Sequence, residues 1–140
     1  MKINEAHLIT AGFMLAAMFA EASPATESAE ALFKSCQGKQ TIAAQRECYP
    51  AVVKQSEAEL VVVERNVRNA MVELENESAG SRPMRPVRAF DKAERAYRAF
   101  RAAESDRVSA SYGSGNGGGL ASYQLMIEMN LARIKQLKGQ

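Results

Sequence analysis

Cys36 and Cys48 are the only cysteines in the chain, and a thiol pair can ligate a metal, exchange disulfides or close a structural bridge. Eleven residues lie between them, which does not make the close Cys-x-x-Cys geometry of thiol oxidoreductases. Metal binding needs more donors than the sequence groups together. The lone histidine, His7, sits near the amino terminus, and no carboxylate cluster has ligand spacing for zinc or calcium. The spacing therefore favours a structural disulfide, a bond that persists in oxidising compartments.

The N-terminal stretch points to such a compartment. Lys2 supplies a positive start, and Leu8 to Ala20 form an uncharged apolar run of 13 residues, too short for a permanent membrane helix. Ala20-Glu21-Ala22 and Ser23-Pro24-Ala25 fit the small-x-small rule of signal peptidase, with cleavage expected after Ala25. No lipobox cysteine is present, so lipid anchoring is not expected. Residues 1–25 read as a signal peptide and 26–140 as a single domain, periplasmic or secreted. His7 leaves with the signal, and with it go the commonest general base and any Ser-His or Cys-His nucleophile. No carboxylate pair stands in a recognisable catalytic setting. The residues predict no enzyme, no metal and no cofactor.

Removing residues 1–25 takes away Lys2, Glu5 and Glu21, leaving 17 basic and 14 acidic residues. A net charge of +3 is too mild to imply nucleic acid. Its distribution is uneven: Thr26 to Gly80 carries a net −3 and Ser81 to Gln140 a net +6, so the halves attract if they fold as antiparallel neighbours. Arg85, Arg88, Lys92 and Arg95 recur at spacings of three and four and share one helix face. Such a stripe could meet an anionic partner, or lie in solvent paired with Glu64, Glu73 or Glu75. The stretch Gly113 to Gly119 lacks the lysine ending and preceding strand of a phosphate cradle. It reads either as a solvated linker or as a finger entering a partner's cleft, with Tyr112 and Asn116 as contacts.

The elements that must position these residues are helical nearly throughout. Ala, Glu, Arg and Leu dominate, and no period-2 alternation persists. A short helix is expected over Ser28–Cys36, and a second from a Thr41 cap to about Cys48. Tyr49-Pro50 should restart the chain into a long helix over about 51–77, with Leu60, Val63, Val67, Ala70 or Met71, and Leu74 on one stripe. Ser78 to Pro86 interrupts it. The next apolar set is Val87, Phe90, Ala93, Tyr97, Phe100 and Val108. Ser109 to Gly119, with five glycines in eleven residues, should be a mobile loop. Leu120, Tyr123, Ile127, Leu131, Ile134 and Leu137 then mark a last helix. The fold class is all-α: an antiparallel helical hairpin with a third packing helix and a short disulfide-stapled N-terminal helix pair.

The cysteine spacing, the start of the long helix at Glu57-Ala58-Glu59-Leu60, and the set Tyr97, Phe100, Arg101 and Glu104 resemble the LprI-type lysozyme-inhibitor family. Gly118-Gly119 and Arg133-Ile134 with Leu137 match its closing motif, and the resemblance spans almost all of residues 26–140. Two departures stand out. Tyr97 takes the place of a favoured tryptophan, and Ser105 that of a cysteine whose partner falls near Leu125 or Met126. The resemblance thus implies one retained disulfide, a second lost as a pair, and a loop left without a staple.

What the resemblance implies for function is an exported binding protein that occludes a muramidase. Because many lysozymes are basic, the inhibitory face is expected to be local and acidic, around Glu57, Glu59 and Glu64. Tyr97, Phe100, Arg101, Glu104 and Arg133 read as structural, with Arg101 paired to Glu104, Glu57 or Glu59. Two other classes fit the residues: an envelope adaptor holding anionic polymer or a periplasmic protein, and an immunity or chaperone partner of a secreted toxin.

Overall fold

The computed structural model describes residues 27–139, so the export-signal reading of residues 1–25 lies outside the described residues. Helix α1 spans Ala29–Gln37, α2 Ile42–Glu77, α3 Pro86–Ser111 and α4 Gly118–Lys138, with a 3₁₀ turn at Arg82–Met84. The described residues form no strand, and none of their helices is long and apolar enough to cross a membrane. Helix α4 packs between α2 and α3, and α1 lies across the first half of α2.

Helix α1 begins where the Ser28 side chain accepts from Ala31 N–H, which satisfies one of the orphan donors of a helix start. Ala29, Phe33 and Cys36 then recur on one buried face. Thr41 caps α2 in the same way through Ala44 N–H. Cys36 and Cys48 are joined by a disulfide across a Cα–Cα separation of 6.0 Å, which staples the end of α1 to the second turn of α2.

The two expected helices on either side of Pro50 are one helix of 36 residues. Interior proline removes a backbone hydrogen bond and costs about 3 kcal/mol. Here its ring faces solvent, whereas Tyr49 and Val52 are buried on the opposite side. Each buried side chain of that size contributes roughly 1.5–3 kcal/mol, enough to keep both halves of α2 on one axis. The helix ends at Ser78, and the chain reverses through Arg85, whose φ of 48° is left-handed, before Pro86 opens α3 as its first residue.

Two apolar clusters lie in series. Phe33, Cys36, Tyr49, Val52 and Ile127 fill the disulfide end; Leu60, Val63, Ile134 and Leu137, with Val67, Phe90 and Tyr97 against them, fill the other. Leu60, Val63 and Val67 thus hold their expected places, but Leu74 and Tyr123 reach the surface. The stripe read for α3 is also displaced. Its inward positions are Phe90, Glu94, Tyr97, Arg101 and Ser105, spaced 4, 3, 4 and 4 apart. Phe100 lies one residue off that register, about 100° round the helix, and is 60% exposed.

The expected eleven-residue loop shrinks to 112–117, because α3 continues to Ser111 and α4 starts at Gly118. Gly118 lets the two helices meet: a Cβ there would sit 2.7 Å from the Ser109 carbonyl oxygen. One turn inside this contact, Ser105 Oγ and Ser122 Oγ share a hydrogen bond of 2.6 Å. The partner of Ser105 is therefore Ser122, one helical turn before the Leu125 or Met126 expected from sequence. The loop is stapled by hydroxyls where the related pattern has sulfur. Replacing both serines (Ser105→Cys with Ser122→Cys) should let a second disulfide form under air oxidation. With the pair 17 positions apart in sequence, the expected gain is about 3 kcal/mol, measured by urea denaturation with and without reductant.

Candidate functional site

Between the two apolar clusters, polar side chains cross the interior. Ser56 on α2 and Asn130 on α4 are buried, and Asn130 Nδ2 donates to Ser56 Oγ at 2.9 Å. Ser56 passes its own hydrogen to the Val53 carbonyl, also at 2.9 Å. The Asn130 amide oxygen accepts from Arg101 Nη1 on α3, whose Nη2 reaches Glu57 at 3.3 Å. One hydrogen-bonded chain thus joins α2, α4 and α3. Of the carboxylates suggested for Arg101, Glu57 is its partner; Glu104 pairs with Arg107 at 2.6 Å, which holds its carboxyl below the usual range.

Two turns further along α2, Glu64 pairs with Arg98, and Glu94 pairs with Arg133 from α4. The Arg133 guanidinium also lies 5.3 Å over the Tyr97 ring, and burial pushes the Tyr97 hydroxyl up from its ordinary pKa. Glu64 and Glu94 are both buried, and one oxygen of each, Glu64 Oε1 and Glu94 Oε2, has no donor. An ionised carboxylate only accepts, so neither oxygen can satisfy the other while both groups are charged. Burial first, then the hydrogen bond toward Glu94, raise the Glu64 carboxyl above the ordinary carboxylate range, and Arg98 offsets this in part.

The expected acidic face is dispersed. Glu64 is buried in this cluster, and Glu59 turns toward α1, where Oε1 caps Ala29 N–H at 2.7 Å and accepts from Gln55. Glu57 is accessible over 46% of its side chain, but it is already paired with Arg101. Arg133 and Tyr97 both take part in the buried seam with Glu94. Phe100 lies outside that seam and faces solvent.

The remaining candidates gather at the disulfide end. Arg46 on α2 donates to the Asn116 carbonyl, tying the α3–α4 loop to the start of the hairpin. Tyr112 lays its ring against Gly117, where a Cβ would collide at 2.7 Å, and is still 50% exposed. Gly115 N–H closes back on the Tyr112 carbonyl at 2.9 Å. Ile42, one turn before Arg46 on the same face, is 62% exposed. This end is a short, fixed loop with apolar side chains in solvent.

Sequence reasoning missed Ser56, Glu94, Arg98, Ser122 and Asn130. Their signal was a polar residue standing in an apolar register, as Asn130 stands between Ile127 and Ile134.

The family model for the lysozyme inhibitor LprI matches residues 34–137, from within α1 to the end of α4. The chain belongs to this family of helical lysozyme inhibitors. Comparison with curated proteins and with solved structures returned no match.

The carboxyl pair makes stability fall as pH rises. With its pKa raised in the folded state, Glu64 holds a proton that the unfolded chain releases near pH 4.3, so the native advantage shrinks from that point up to the raised value. Glu64→Gln, which places a permanent donor beside Glu94, should flatten this slope. Chemical denaturation from pH 4 to pH 8 checks it, and parallel curves for the two proteins would contradict it.

Proposed function

We propose that the chain is an exported, non-enzymatic inhibitor of a lysozyme or related muramidase, and that it presents its disulfide end to the target. The observation that carries the reading is the family match over 34–137, which takes in Cys36, Cys48 and all three long helices. The geometry supports it. A loop held by Arg46, by the Tyr112–Gly117 contact and by the Ser105–Ser122 bond gives up little freedom on binding, so more of its contact energy becomes affinity. Tyr112 offers a half-exposed aromatic of the kind that dominates protein interfaces, and Ile42 at the start of α2 is exposed at the same end. The bridge between Cys36 and Cys48 suits an oxidising compartment, in keeping with export to the periplasm or beyond.

Glu57, Glu59 and Glu64 are committed within the fold, so this mode relies on shape and apolar contact rather than on an acidic face. Inhibition should then change little with salt, since screening acts on exposed charges. Titration against a panel of lysozymes in a cell-wall lysis assay, at physiological and at high salt, tests this. Tyr112→Ala should weaken inhibition by roughly thirtyfold, the equivalent of about 2 kcal/mol for an interface anchor, and Glu57→Gln by less than about threefold. Absence of inhibition across the panel would refute the reading for those enzymes. A large salt effect with Tyr112→Ala silent would move the binding face elsewhere.

A further inference from the structure

The opposite end of the molecule carries a patch that inhibition does not use. Met84, at the end of the 3₁₀ turn, is 80% exposed, the most exposed large hydrophobic side chain among the described residues. It shares a shallow depression of about 260 Å³ with Arg85, Arg88, Ala89 and Lys92. Among the described residues none of these three cations forms an ion pair; the cross-helix pairs use Arg68, Arg98, Arg101 and Arg133 instead. The expectation that the stripe is neutralised by Glu64, Glu73 or Glu75 is not met: Glu64 takes Arg98, and Glu75 accepts from Val87 N–H at the start of α3. Arg85 also holds a left-handed backbone, φ 48°, at a turn position where glycine or asparagine would be relaxed. Arg82 stands on the same turn and donates to carbonyls at the end of α2.

We propose that this turn docks on an anionic phospholipid surface. Arg85, Arg88 and Lys92 surround a depression the size of a phosphate headgroup, and Met84 enters the acyl boundary beside it. A flexible thioether flanked by cations suits a bilayer interface, where apolar burial and headgroup attraction act together. A soluble polyanion would use the cations and leave Met84 idle. Along α2, at 1.5 Å per residue, the patch lies about 45–50 Å from Arg46 and the loop end. A docked molecule would hold Tyr112 away from the membrane, so the two ends act independently and can fail independently.

The chain from Thr26 onward, which contains every described element, should be mixed with vesicles of 30% phosphatidylglycerol in phosphatidylcholine, with pure phosphatidylcholine, and with soluble polyphosphate. Flotation is expected with the anionic vesicles alone and should be lost in 0.5 M salt. Arg88→Gln with Lys92→Gln should weaken it about thirtyfold, at about 1 kcal/mol per charge, and Met84→Ser severalfold, with thermal stability unchanged because these side chains are exposed. No flotation, equal flotation on pure phosphatidylcholine, or full flotation by the double variant would overturn the proposal. So would polyphosphate binding at equal affinity with Met84→Ser silent, which would mark a polyanion site with no bilayer role.

Discussion

A single buried polar chain, Arg101 to Asn130 to Ser56, sets how the three long helices sit against one another. Apolar packing alone tolerates sliding and rotation, but a buried amide that must find both a donor and an acceptor allows few settings. Helix α3 depends on this most. Its buried side chains are Glu94 and Ser105, and Phe90 and Tyr97 are only partly covered, so its place is fixed by polar partners on α2 and α4 more than by a hydrophobic stripe. Once Arg101 and Ser105 are seated, Gly118 meets Ser109 and the loop between α3 and α4 has little freedom left.

Helix α2 acts as the spine, and its carboxylates are spent inside the fold. Glu59 caps α1, Glu75 caps α3, and Glu57 and Glu64 take arginines from α3. The opposite charges of the two halves therefore meet across helix seams, as their signs suggested. The consequence is a surface whose acidity near α3 is largely consumed, while Arg85, Arg88 and Lys92 stay in solvent at the turn. Both functional readings follow from that division: an inhibitory end built on shape, and a basic end built on charge.

Much of this was legible from residue types. The all-α class, the disulfide, the Thr41 cap and the family followed from spacing and motif. The continuity of α2 was not, because proline reads as a break unless one knows that Tyr49 and Val52 are anchored on the far side. The loop was overestimated for a related reason: glycines that signal flexibility in isolation serve at Gly118 to bring two backbones together. The acidic face failed because charge on a helix does not reveal which neighbour will claim it. Ser122 was passed over because a hydroxyl carries no pairing rule of the kind that cysteine does.

The seating of α3 by Arg101 and Asn130 is tested most directly by a double-mutant cycle on folding stability, using Arg101→Leu, Asn130→Leu and the pair together. Two residues that act as one buried unit should be strongly non-additive, with a coupling of at least about 1.5 kcal/mol. Each single variant strands a buried polar group that the double variant removes. Additivity within about 0.5 kcal/mol would contradict the account and return the positioning of α3 to apolar packing alone.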